Sequence, residues 1–308
     1  MIALRFGGYQ PARSVHTRGL HALAGIVERR SAGELGIEVT ENVVSGGHKA
    51  GDLFDLVSSG ALDACYFAST YLAGRVPALG VLDLPFLSGS RAASFAALDG
   101  AGGALLAEAV AGATPCRVLG YWDNGIRHIS NAVRPIHTPA DCVGLRLRTL
   151  DSALQQAAFR RLGFRPEFID VAELPRAVAK RRVDAQENPL TNMINFGLQA
   201  YHKHVSLTGH LLGIALVLVN RARFDALPAE LRGVVIDAVH ESETVQRGFA
   251  VEEDTACLKL LGDAGITPIG PEAIDLPAFG TAVADAVDAA AGEFAPELQR
   301  VFLGTAAE

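Results

Sequence analysis

Apolar positions along this chain alternate between two spacings, and each change of spacing marks an element. Ile2-Ala3-Leu4-Arg5-Phe6 reads as an opening strand. From Arg13 to Arg30 the period becomes helical, with Leu20, Leu23 and Val27 on one face and Arg18, Glu28 and Arg29 elsewhere. Gly33 and Gly36 stop this helix. Ile37-Glu38-Val39 alternates as a second strand, Asp52 to Ser59 predicts a short helix closed by Gly60, and Leu62 to Phe67 is a third apolar strand. The resulting β-α-β-α-β order predicts a mostly parallel sheet with helices on both faces, and such sheets take ligands outside the carboxyl ends of their strands.

Arg91 to Val110 predicts a further helix leading into a strand over Arg117 to Trp122, after which Asn124-Gly125 has the composition of a turn. A connection through Pro135 and Thr138-Pro139 precedes a strand at Leu145 to Thr149. Asp151 or Ser152 is placed to cap a helix running to Leu162, and Gly163 stands where a left-handed C-terminal residue is wanted. Asp170-x-x-Glu173 has the form of a capping box before Leu174 to Lys180, although Pro175 fits only a first turn. Leu211 to Asn220 is the strongest later strand. Leu227 to Leu261 has the length of one long helix or two consecutive ones, and Phe279 to Val301 is again helical.

At 308 residues and 49% hydrophobic, the chain has material for two cores, and two domains is the expected arrangement. Its formal net charge of −7 lacks the basic field that nucleic-acid binders require, so nucleic acid is not an expected partner. No apolar run reaches the length of a membrane-spanning helix. The chain opens on a strand, without the basic segment and apolar stretch of a signal peptide, so the expectation is either a cytoplasmic protein or one whose leader has been removed. Cys65, Cys116, Cys142 and Cys257 are widely spaced and form no zinc pattern. Most are expected to be small buried apolar residues, with one disulfide expected only in an exported chain.

An overall negative protein must attract an anion through a local cluster. Arg127 follows Asn124-Gly125, and Arg148 ends the alternating run Leu145-Arg146-Leu147-Arg148, which places Arg146 and Arg148 on one face. Arginines from separate segments suit a small carboxylic acid, because each planar fork matches a carboxylate with two parallel hydrogen bonds. Asn188 stands before Pro189 and is held extended, with a donor and an acceptor to offer. His202-Lys203-His204 lacks a third metal ligand of evident geometry, and Asp99-Gly100-Ala101-Gly102-Gly103 follows a helix where a dinucleotide loop needs a strand. The nucleophile elbow, phosphate-binding loop and zinc helix of common enzymes are missing from the sequence. No cofactor and no metal is expected.

Together these segments resemble the DctP-type solute-binding proteins of tripartite ATP-independent periplasmic (TRAP) transporters. The most specific matches, in chain order, are Trp122-x-Asn124-Gly125-x-Arg127, Arg134-Pro135-Ile136-x-Thr138-Pro139-x-Asp141, Gly144-Leu145-Arg146-Leu147-Arg148 and Val183-Asp184-Ala185-Gln186-Glu187-Asn188-Pro189. Gly60-Ala61-Leu62-Asp63, Leu84-Pro85-Phe86-Leu87, Leu207-Thr208-Gly209-His210 and Leu227-Pro228-x-Glu230-Leu231 support them. The resemblance covers nearly the whole chain. It implies an α/β, two-domain periplasmic-binding-protein-like fold with a mostly parallel sheet in each domain, a cleft between them and a long domain-spanning helix. It places residues 1–124 with 210–250 in one domain and 125–209 with 251–308 in the other. It also implies that Arg148 pairs with a substrate carboxylate, and that Arg127 and Asn188 are polar contacts in the cleft. Phe67, Trp122, Phe168, Phe196 and His210 are candidates for the remainder of the site, although core packing suits the aromatics equally well.

The reading is a periplasmic binding protein, expected as a monomer, that closes on a small organic acid and delivers it to the permease subunits of a TRAP transporter. It performs no chemistry of its own. The rival is a two-domain enzyme on the same kind of acid, with His128 or His210 as general base.

Overall fold

In the computed structural model, which describes residues 2–87 and 90–304, the described strands form one mixed sheet. They are β1 (Ile2–Gly7), β2 (Leu35–Thr40), β3 (Ala64–Ala68), β4 (Cys116–Asn131), β5 (Arg146–Thr149), β6 (Arg165–Phe168), β7 (Ala185–Pro189) and β8 (His204–Asn220), in the order β2-β1-β3-β8-β4-β7-β5-β6. The expected parallel pairing is present in two outer triplets, β1 with β2 and β3, and β5 with β6 and β7. The centre is antiparallel, because β4 and β8 pair with each other and flank β7 and β3.

These two strands join the halves of the molecule. Ala215 to Val219 of β8 pair with β3, while Arg127 to Asn131 of β4 pair with β7. A 16-residue strand extends roughly 50 Å, more than one domain's sheet requires. The sequence signal at Asn124-Gly125 is therefore not a turn. Gly125 lies within β4 at φ +90°, opposite Gly213 of β8, where the register shifts. Its amide donates to Asp123 Oδ1 at 2.6 Å, so the glycine bends a continuing strand instead of ending it. The extended backbone expected at Asn188 belongs to strand β7, held by β4 and β5.

A helix answers the polar groups that the irregular register frees. Ala229–Asp263 is a single 35-residue helix packed on Val15–Arg30 and β4. Its Glu243 carboxylate accepts from Tyr121 N at 2.6 Å, and its Gln246 amide accepts from Asp123 N and donates to Asp123 O, both at 2.7 Å. Buried backbone groups left without ladder partners would cost free energy, and here two helix side chains supply the partners.

Other boundaries follow local rules. Ser14 caps Val15–Arg30, its hydroxyl accepting from Thr17 N at 3.1 Å. The stretch expected as one helix over Arg91 to Val110 is two, Arg91–Leu98 and Ala101–Ala113, bent by 57° at Asp99-Gly100. No capping box forms before Leu174–Ala179. Asp170 Oδ1 accepts from Ala172 N, Glu173 makes no cap bond, and Pro175 sits in the first turn, where its missing N–H is harmless. The four cysteines are buried and free.

Gly125→Ala should lower stability by about 1–3 kcal/mol, because a Cβ there meets Pro189 Cβ at 2.6 Å in a left-handed backbone. In the same urea titrations Gly233→Ala, on the exposed face of the long helix with open space around its Cβ, should gain about 0.5–1 kcal/mol.

Candidate ligand site

The sheet places two arginines in the interior and treats them differently. Arg148 is the third residue of β5, whose neighbours β6 and β7 leave it fully buried. Its Nε donates to Ile169 O at 2.8 Å, and neither Nη1 nor Nη2 has an acceptor among the described residues. Burial pulls its pKa below the ordinary arginine value, with Tyr71 and Glu187 acting in the other direction. Arg146 on the same strand is exposed and is used by Asp184, at 2.7 Å from Nη2 to Oδ1. It belongs to the surface.

Arg127 on β4 is also buried, but its charge is matched. Its Nε and Nη2 donate to the Glu187 carboxylate at 2.5 and 2.7 Å, and Nη2 also reaches Glu187 O at 2.9 Å. Burial alone would raise the Glu187 pKa, yet Arg127 and His210 hold it at about 2, below its ordinary 4.5. An ionised Glu187 only accepts, so His210 Nε2, 3.4 Å away, carries the hydrogen, and Nδ1 accepts from Thr208 Oγ1 at 2.8 Å. Burial also lowers the His210 pKa, consistent with a neutral ring that positions Glu187.

Because arginine can only donate, it orients the amides around it. Arg127 Nη2 and Asn192 Nδ2 both approach Asn188 Oδ1, at 3.4 and 3.2 Å, so that acceptor is occupied. Asn188 Nδ2 gives one hydrogen to Gln186 Oε1 at 2.5 Å and keeps one. Asn192 Oδ1 then takes the Gln10 amide hydrogen at 3.4 Å, leaving Gln10 Oε1 without a partner.

Around the arginines lie groups that the sequence did not single out. Asp83 Oδ1 accepts from Thr70 Oγ1 at 2.6 Å and from Gln155 Nε2 at 3.1 Å, while Asp83 Oδ2 and Gln155 Oε1 have no protein partner. Tyr71 Oη and Thr149 Oγ1 are also buried without partners. Tyr71 stands 5.4 Å from the Phe67 ring and 6.2 Å from Tyr9, between centroids. Asp83 had a visible signal, a lone acid in the apolar run Val81-Leu82-Asp83-Leu84. Gln10, Tyr71 and Gln155 had none.

Of the expected site residues, the fold brings together Arg148, Arg127, Asn188, Phe67 and His210. Trp122 stands apart. It is core, its ring tilted against Tyr66 at 5.9 Å between centroids, with its Nε1 donating to Ser242 of the long helix. Phe168 ends β6 with its side chain exposed, and only the neighbouring Ile169 carbonyl reaches Arg148. Phe196 is half-buried against both hydrophobic clusters. His202 is used by Ser130, at 3.0 Å from its Nδ1, and His128 accepts from Gly209 N.

Comparison with known proteins places this geometry in a group. Residues 6–293 match the family described as bacterial extracellular solute-binding protein, family 7. The chain belongs to this family. It is 31% identical over 262 residues to the 2,3-diketo-L-gulonate-binding periplasmic protein YiaO of Escherichia coli, covering 85% of this chain and 78% of that one. It is 33% identical over 188 residues to the C4-dicarboxylate-binding periplasmic protein DctP of Rhodobacter capsulatus, covering 61% and 56%. A TRAP periplasmic solute-binding protein from Polaromonas bound to D-erythronate superposes with TM-score 0.92 at 26% identity, covering all of both chains. One from Sulfitobacter with bound β-D-galacturonate gives 0.91 at 25%, covering 98% of this chain and 100% of that one. These relatives are two-domain binding proteins of transport systems, not enzymes, so the histidine-base alternative is set aside.

Glu187→Gln should cost about 3–5 kcal/mol in urea unfolding, because it leaves Arg127 buried without a counter-charge. The Glu187 pKa is depressed on folding, so its stabilisation is complete above pH 4.5 and is lost as pH falls toward 2. Asp83 acts oppositely. Burial raises its pKa to about 6 against the bonds from Thr70 and Gln155, so its contribution is full below pH 3.8 and is lost as pH rises through 6. Stability measured against pH should lose the first slope in Glu187→Gln and the second in Asp83→Asn.

Proposed function

We propose that this chain captures a small organic acid in the periplasm through the carboxylate-binding fork of Arg148 and delivers it to the permease subunits of a TRAP transporter. The observation that carries the reading is the contrast between the arginines. Arg127 has its carboxylate within the protein, whereas the Arg148 guanidinium is fully buried with both terminal nitrogens free of protein acceptors. Such a group favours an external carboxylate that takes two parallel bonds. The relatives' names, with their gulonate, galacturonate, erythronate and dicarboxylate ligands, support an organic acid.

The protein acts as a monomer whose lobes, 1–124 with 210–250 and 125–209 with 251–308, close by hinge motion. The passage of β4 and β8 between the outer triplets supports this division, since those strands are the covalent links that bend. Gln10 with Asn192 and Asp83 with Gln155 are hydrogen bonds across it, at 3.4 and 3.1 Å. A ligand that touches both lobes binds the closed form better and shifts the population toward it.

Titration calorimetry of ligand-stripped protein against a panel of carboxylic acids should yield a ligand whose binding weakens by about 2–5 kcal/mol in Arg148→Ala. Arg148→Lys should also bind poorly, since an ammonium cannot form the bidentate contact. An acid bound equally well by wild type and Arg148→Ala would end this assignment.

A further inference from the structure

We propose that the acid is a polyhydroxylated monocarboxylate, a sugar acid, and that the site discriminates against dicarboxylates and against acids without hydroxyls. This rests on the organic-acid reading and adds the class of substrate to it. Two counts support it, one of charge and one of hydrogen-bond polarity.

The charge count allows one carboxylate. Of the two buried arginines, Arg127 is neutralised by Glu187 at 2.5 Å, and only Arg148 is free of an acid partner. Two further carboxyl groups, Asp83 and Asp170, are buried close enough to act electrostatically on Arg127 and Arg148. A second ligand carboxylate would enter beside acids already present, with no unmatched cation to receive it, and burying it unpaired is prohibitive.

The polarity count calls for donors on the ligand. Gln155 must point its Nε2 at Asp83 Oδ1, which leaves Oε1 as a bare acceptor. Gln10 is fixed in the same sense from the other side, because Arg127 orients Asn188, Asn188 orients Asn192, and Asn192 accepts the Gln10 amide hydrogen. Gln10 Oε1 is therefore bare as well, and Asp83 Oδ2 is a third such atom. A carboxylate has no hydrogen to give to any of them, whereas hydroxyls do. Tyr71 Oη and Thr149 Oγ1 can accept or donate. The rings of Tyr9, Phe67 and Tyr71, adjacent to one another, offer flat apolar faces to the C–H face of a polyol.

The test is calorimetry on the ligand-stripped full chain with D-gluconate and D-galactonate, hexanoate, succinate and D-galactose. At least one of the aldonates should bind about 100-fold or more tighter than hexanoate and succinate, as expected when several buried acceptors are left unmet by the poorer ligands. D-Galactose should not bind. Gln155→Leu should weaken the aldonate about tenfold or more beyond its effect on hexanoate measured by competition, because loss of the inter-lobe bond to Asp83 falls on both ligands and cancels in the ratio. Succinate binding as tightly as the aldonates, or hexanoate within a few-fold of them, overturns the substrate class while an Arg148-dependent affinity keeps the organic-acid reading. Failure of every acid, or binding indifferent to Arg148→Ala, overturns both.

Discussion

The structure turns on unequal compensation of two buried positive charges. Arg127 and Arg148 are buried in the same interior, close enough that Arg127 helps to lower the Arg148 pKa, and each would be costly to bury alone. One is balanced within the protein by Glu187, itself steadied by His210, so it contributes a rigid polar wall and no net charge. The other has no acceptor for its two terminal nitrogens among the described residues, and the proposed capture of a carboxylate rests on that difference. A pair of free arginines would attract more strongly and discriminate less, since any dianion would satisfy both.

That arrangement depends on β4 and β8. Arg127 sits on β4 just past the bulge at Gly125, and Glu187 and His210 reach it from β7 and β8. The bulge aims the side chain inward but disturbs the ladder, and the long helix repairs the damage through Glu243 and Gln246. Support for the site thus extends to residues that touch no ligand.

Much of this was legible along the chain. Periodicity located most helices and, of the outer parallel strands, β1, β2, β3 and β5 but not β6 or β7, because local spacing and burial of one face are coupled within a few residues. Arg148, Arg127 and Asn188 were marked by ordered motifs. Trp122 and Phe168 were ambiguous for a physical reason: an aromatic near a motif is equally suited to core or surface, and only the tertiary structure shows Trp122 packed against Ser242 and Phe168 exposed at a strand end. Asn124-Gly125 misled in the same way, since a left-handed glycine serves a turn or a bulge depending on what pairs with the strand beyond it.

By itself the sequence determined the residue types available, the α/β order of the elements, and the presence of arginines in recognisable motifs. It could not determine which arginine would be neutralised. That depends on whether a carboxylate sixty residues away arrives within 3 Å, and Glu187 reaches Arg127 and not Arg148 only because β7 pairs with β4 in one register. The polarity of the amides is tertiary for the same reason. A glutamine in a sequence carries both a donor and an acceptor, and only its fixed neighbours decide which of the two it has left to offer.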